Sequence, residues 1–201
     1  MNKEQLLNKY QVFCDLDGVL VDLYQGVNDA IYADPPQDVS ERYLKAQKLA
    51  KESLGGEILN EGHLSKSSED FKKPVRAFML RVMNSNRHFW MNLPWTDDGK
   101  KLWDFIKDYN PIILSKPTDL QSVIGKKAWV KQNLDLNKQR VQVRHQKAPF
   151  AQYNDKTGLL IDDFEKNIKA FKEAGGETIH FKNTSQAIGA LKDYGFGRSS
   201  T

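Results

Sequence analysis

A short apolar run, Val12-Phe13-Cys14, ends abruptly at Asp15, and Asp17 and Gly18 follow before the chain turns apolar again. Such a β-branched and aromatic run, stopped by a turn signal, reads as a buried strand. In an extended backbone residues two apart point the same way, so Asp15 and Asp17 would converge on one small volume. Two carboxylates that close repel unless a cation or a proton lies between them. Gly18 lets the backbone turn sharply where a ligand could approach. Asp-Gly alone is common in turns, but Asp-x-Asp-Gly straight after a buried strand is much rarer. The stretch is read as functional.

The chain after this strand falls into two regimes. Residues 23–95 read as helices and loops without a convincing strand. A helix is expected over 22–33, stopped by Asp34-Pro35-Pro36. Asp38-Val39-Ser40-Glu41 has the form of a capping box for a second helix, closed by Gly55-Gly56. Residues 57–70 read as a loop. A third helix carries Phe71, Val75, Phe78, Met79 and Val82, with Pro74 in its first turn. An aromatic cluster of Phe89, Trp90 and Trp95 follows.

From Thr96 onward helices and strands alternate. Thr96 is expected to cap a helix reaching Tyr109, and Ile112-Ile113-Leu114 reads as a strand ending at Ser115. A helix over about 120–133, a strand over 141–143 and a loop with Lys147 come next. Leu159-Leu160-Ile161 is a further strand, ending in Asp162-Asp163. A helix over 165–174, a strand over 178–181 and a last helix over about 185–194 complete the pattern. The alternation implies an α/β fold: a doubly wound, Rossmann-like parallel sheet with a small helical cap insertion. The expected division is 1–22 with 96–194 as core, 23–95 as cap, and 195–201 as a loose tail.

Composition narrows the class without choosing the chemistry. A chain of 201 residues, 39% hydrophobic and 28% charged, can bury one proper core. Its net charge of +4 suits an anionic substrate and does not announce nucleic-acid binding. The single cysteine, Cys14, forms no internal disulfide and reads as a small core residue. No long apolar segment or signal-peptide pattern is visible, so a cytoplasmic, soluble protein with no membrane partner is expected. A homodimer and a nucleic-acid partner stay open.

In a doubly wound sheet, ligands bind beyond the carboxyl ends of the strands. The expected strand ends here supply Asp15 and Asp17, then Ser115, then Lys147, then Asp162 and Asp163. Clustered carboxylates with one lysine and one hydroxyl become sensible if Mg²⁺ and a phosphate lie among them. These residues also carry a resemblance. Asp15-Leu16-Asp17-Gly18-Val19, the strand ending in Ser115, Lys147, and Leu160-Ile161-Asp162-Asp163 are similar to the four ordered motifs of the haloacid dehalogenase superfamily. Within it, Asp15 to Asp22, Asn92-Leu93-Pro94 and the stretch from His180 to Ile188 resemble the 5′(3′)-deoxyribonucleotidase branch. Ser115-Lys116-Pro117 departs from that branch, which has a smaller residue before the proline.

The resemblance implies a Mg²⁺-dependent phosphatase acting on nucleoside monophosphates. Asp15 would be the nucleophile and Asp17 the general acid and base. Asp15, the backbone carbonyl of Asp17, and Asp162 or Asp163 would hold the metal, with Asp163 preferred as direct ligand. Ser115, Lys116 and Lys147 would hold the phosphate. Lys156 competes with Lys147 but lies in Asn154-Asp155-Lys156-Thr157-Gly158, which reads as a surface turn. Phe89, Trp90 and Trp95, with Tyr24, are either cap core or a stacking surface for a base. His63, His88, His145 and His180 show no metal-ligand spacing. The other readings are a polynucleotide 5′-phosphatase, a sugar-phosphate phosphatase, a phosphoacceptor signalling domain and a basic nucleic-acid-binding module.

Overall fold

The computed structural model describes residues 1–60, 68–84 and 87–197. His63, and residues 61–67 of the loop expected over 57–70, lie outside the described residues. The backbone divides into two compact units: 1–22 with 95–117 and 130–201, and 23–94 with 118–129.

The first unit is a six-stranded sheet built around β1 (Tyr10–Cys14). β2 (Ile112–Ser115) and β5 (Lys156–Asp162) flank β1, both parallel to it, and β3 (Val141–Val143) lies outside β2. Phe13 sits in register with Ile112 on one side and Leu160 on the other. β6 (Glu177–His180) runs parallel along the second half of β5. Strands covered on both faces read as unbroken apolar runs, and Phe13, Ile113, Leu114, Leu160 and Ile161 are fully buried. Cys14, Ser115, Val143 and Asp162 all end their strands at the same edge of the sheet.

The structure departs from the sequence reading at several places in this unit. A helix, α1 (Lys3–Lys9), precedes β1, and Asn2 and Gln5 form a reciprocal capping box at its start. Residues 152–157 form a hairpin: β4 (Gln152–Tyr153) pairs antiparallel with the start of β5. Its turn residues Asn154 and Asp155 both take positive φ, at 50° and 61°, as a type I′ turn requires. Lys156 therefore begins a strand. Thr96 caps no helix, because its Oγ1 donates to the Val19 carbonyl at 2.9 Å and its N–H to that of Leu20. α6 (Gly99–Ile106) starts three residues later, with a 3₁₀ turn at Lys107–Tyr109. The tail is ordered as far as Gly197: Phe196 is buried, and its ring packs edge-on against Tyr109. Residues 198–201 lie outside the described residues.

α7 (Leu120–Leu134) crosses from the second unit into the first, and α8 (Glu165–Glu173) and α9 (Thr184–Asp193) complete the alternation.

The second unit is helical. α2 (Leu23–Tyr32), α3 (Glu41–Leu54) and α4 (Glu69–Met83) bury Val27, Ile31, Ala50, Leu54, Val75, Phe78 and Val82 together. Asn28 pins buried Leu59 by two hydrogen bonds, 2.8 and 3.0 Å. Ser40, not Asp38, caps α3: its Oγ accepts from Tyr43 N, and Asp38 takes a positive φ of 66°. α4 begins at Glu69 with Ser68 as its cap, so Pro74 sits further inside the helix than its first turn. Phe89 and Trp90 of the aromatic cluster lie on a short helix, α5 (Arg87–Met91). Among the described residues no helix is long and apolar enough to cross a membrane.

Candidate active site

Asp15 lies one residue past β1, buried, and its backbone N–H donates to the Ile161 carbonyl of β5 at 2.9 Å. Its Oδ1 accepts the Leu16 N–H at 2.7 Å, which fixes the carboxylate. The Lys147 ammonium then bridges two acids, 2.7 Å from Asp15 Oδ2 and 2.6 Å from Asp162 Oδ2. Lys147 and Asp162 are both buried. The sheet order explains the meeting, since β1 and β5 are neighbours and Lys147 enters from the loop beyond β3.

Asp162 has its oxygens occupied. Oδ1 accepts from Phe164 N at 2.9 Å, and both oxygens lie 3.0 Å from Asn167 Nδ2. Asn167 is buried in the first turn of α8 and was not singled out from the sequence. The available signal was an amide one helical turn beyond an acid pair. Asp163 is exposed as a residue, and its carboxylate rests against the backbone of Gly18, where a β-carbon would collide with it. Gly18 has φ of +74°, so both its dihedral and its neighbour require glycine.

Oxygens of Asp15, Asp162 and Asp163 lie within 4.8 Å of one another. Their electrostatics show the cost. Although the residue as a whole is exposed, burial of its carboxylate, then repulsion from Asp15 and Asp162, pushes Asp163 up to about 7. Burial, then Asp15, also raises Asp162, against the pull of Lys147. Burial disfavours the Lys147 ammonium, yet Asp15 and Asp162 outweigh it and hold its pKa above the ordinary value. Burial and the Asp15 charge raise the Cys14 thiol well above its usual value, which leaves it a core residue rather than a nucleophile. Three carboxylates facing one buried ammonium form a hard-oxygen set that a divalent cation fits.

Asp17 is half-buried, and Ser115 Oγ lies 3.4 Å from its Oδ2. Lys116 is exposed, with its ammonium 5.9 Å from the Phe164 ring centre. His180 Nε2 lies 3.0 Å from the Asp163 carbonyl oxygen and 3.0 Å from Lys182 Nζ. Lys156, at the opposite end of β5 from Asp162, is outside the cluster.

The aromatic residues separate into different environments. Trp90 is only 1% exposed; its Nε1 donates to the Met83 carbonyl at 2.8 Å, and Lys126 Nζ lies 4.6 Å from its ring centre. Trp90 is therefore core of the helical unit, not a stacking surface. Tyr24 and Phe89 are partly buried against that core. Phe89 also lines a pocket of about 280 Å³ within the helical unit, with Asp29, Tyr43, His88 and Asn92. Trp95 belongs to the sheet unit and bridges to Val21.

No protein-family model matches the chain, and no curated protein matches it. Solved structures do. A hydrolase from Streptococcus pneumoniae TIGR4 is 14% identical, with 92% of this chain and 99% of that one covered and a TM-score of 0.53. A haloacid dehalogenase superfamily hydrolase of subfamily IA from Geobacter sulfurreducens PCA is 12% identical, covering 92% and 97%, with a TM-score of 0.47. A haloacid dehalogenase-like hydrolase from Streptococcus pneumoniae is 14% identical, covering 94% and 92%, with a TM-score of 0.44. This chain has the α/β Rossmann-like fold of the first of these hydrolases, with an acidic cluster at the carboxyl ends of its strands.

Proposed function

We propose that this chain is a Mg²⁺-dependent phosphomonoesterase acting through an aspartyl-phosphate, with nucleoside monophosphates as substrates. The observation that carries the reading is the convergence of Asp15, Lys147, Asp162 and Asp163, with Asp15 oriented by the Leu16 N–H. Asp15 and Asp163 would hold the metal together with the backbone carbonyl of Asp17, while Asp162 orients Lys147 and Asn167. Bound there, Mg²⁺ supplies positive charge against the clustered carboxylates and the phosphate oxygens.

The chain's own residues account for the proton and bond inventory. An Asp15 carboxylate oxygen forms a bond to phosphorus as the ester P–O bond breaks. Asp17, entering as the carboxylic acid, gives its proton to the departing alkoxide. As carboxylate it then takes a proton from water, whose oxygen attacks phosphorus and frees Asp15 and inorganic phosphate. Ser115 and Lys147 would donate to the non-bridging oxygens, where charge accumulates. The choice of nucleotides rests on the motif resemblance.

Steady-state phosphate release from a panel of nucleoside 5′- and 3′-monophosphates, sugar phosphates and p-nitrophenyl phosphate tests the reading. Turnover of the deoxynucleotides, lost in EDTA and restored by Mg²⁺, is the expected result. No phosphate release from any ester in excess Mg²⁺ would overturn it.

A further inference from the structure

A second pocket, of about 270 Å³, opens in the sheet unit beside the acid cluster. Lys147 and Asn167, both buried, line its inner wall, and exposed Lys116, His145, Gln146, Phe164 and Lys166 line the rest. These residues follow the carboxyl ends of β2, β3 and β5, the same edge that carries Asp15. No carboxylate is among the lining residues. The adjacent acid, Glu165, is turned toward Lys169 at 2.9 Å. His145 and Lys166 make no hydrogen bond or ion pair among the described residues. The Lys116 ammonium lies over the Phe164 ring, 5.9 Å from its centre.

Lys147 and Asn167 are bonded to Asp162 behind the wall, and the hollow's other donors, Lys116, His145, Gln146 and Lys166, with no carboxylate in the lining, fit an anion of phosphate size. The inner wall narrows the choice further. Lys147 contacts Asp15 at 2.7 Å and lines this pocket, so an anion here lies within one lysine side chain of the nucleophile. We propose that the pocket is a subsite for a second phosphate group of the substrate, held by Lys116, His145 and Lys166 while the first is cleaved at Asp15. The proposal rests on the phosphatase reading and sharpens it: preferred esters carry two phosphates. A nucleoside bisphosphate and a 5′-phosphorylated strand both present that chemistry.

The test measures kcat/KM for thymidine 5′-monophosphate, thymidine 3′,5′-bisphosphate and 5′-phosphorylated dithymidylate, in the wild type and in Lys166→Glu and His145→Ala. A second phosphate should improve kcat/KM about tenfold, through KM, as a charge-assisted contact does. Lys166→Glu should erase that gain and leave thymidine 5′-monophosphate unchanged, with unaltered circular dichroism. A gain on the bisphosphate alone assigns the subsite to small esters; a gain on the dinucleotide as well assigns it to strand ends. Equal treatment of the monophosphate and both two-phosphate esters overturns the subsite while the phosphatase reading stands. Absence of turnover on all three, and on p-nitrophenyl phosphate in excess Mg²⁺, overturns that reading, and the subsite with it.

Discussion

The Asp163 carboxylate lies directly against the backbone of Gly18, at a distance that leaves no room for a side chain. The loop beyond β1 and the loop beyond β5 therefore fit together only while residue 18 is glycine. Gly18→Ala should displace Asp163 and also strain a backbone held at φ +74°. The strain alone costs about 1–2 kcal/mol. Urea denaturation should report that loss, and Mg²⁺ affinity by calorimetry should fall as well. A variant with wild-type affinity would show that Asp163 takes no part in holding the ion.

Asp15 pairs with Lys147 and repels Asp162 and Asp163, so its charge contributes opposing effects to stability. Asp15→Asn should leave the melting temperature nearly unchanged while cutting turnover by about three orders of magnitude or more. Retained turnover would eliminate the covalent route.

Removing Lys147 has the opposite signature. It would leave Asp15 and Asp162 buried without their shared cation, and breaking a buried pair from one side costs about 3–5 kcal/mol. Lys147→Met should thus be strongly destabilised near neutral pH. The deficit should shrink on acidification, because protonated carboxyls no longer need the ammonium. Denaturant midpoints across pH check both statements.

The raised pKa of Asp163 gives a pH dependence with a definite sign. Folded, the group holds its proton to about 7, whereas its ordinary value is 3.8. Between these values the folded state binds the proton and the unfolded state has released it. This contribution is present in full below about pH 4 and is lost as pH rises through about 7. On the proposed reading Mg²⁺ binds the carboxylate form, so its stabilising effect should grow from about pH 5.5 to about pH 8 and then level off. Melting scans with and without Mg²⁺ measure the difference, and Asp163→Asn should flatten it.

That Asp15, Lys147, Asp162 and Asp163 converge was legible because parallel strands are buried on both faces. Ile112-Ile113-Leu114 and Leu159-Leu160-Ile161 stand out as apolar runs, and the polar residue ending each run marks the ligand edge. Asn167 was not legible, since its role is set by how α8 packs beside Asp162 and not by any local pattern. α1 was missed because only Leu6 is buried along it, leaving no periodic stripe, although Asn2 and Gln5 spell out its cap. The β4 hairpin depends on Asn154 and Asp155 adopting positive φ without glycine, which sequence marks only weakly. Phe196 looked like tail because three residues after a helix say nothing of the ring of Tyr109 waiting for it.

The cap aromatics yield the last prediction, and burial separates them. Trp90 is enclosed, with Lys126 over its ring and its indole N–H bonded to Met83. Trp90→Ala should therefore cost about 3–5 kcal/mol of stability as a core truncation. Phe89 is partly buried beside a pocket that also presents His88 and Asn92, groups able to hydrogen-bond the edge of a base. A base stacked on an aromatic ring gains about 1–3 kcal/mol, roughly five- to hundred-fold in affinity. Phe89→Ala should raise KM for a nucleoside monophosphate by that order while leaving p-nitrophenyl phosphate little affected. Equal losses on both substrates would make Phe89 a packing residue like Trp90, and nucleotide preference would have to arise elsewhere in the chain.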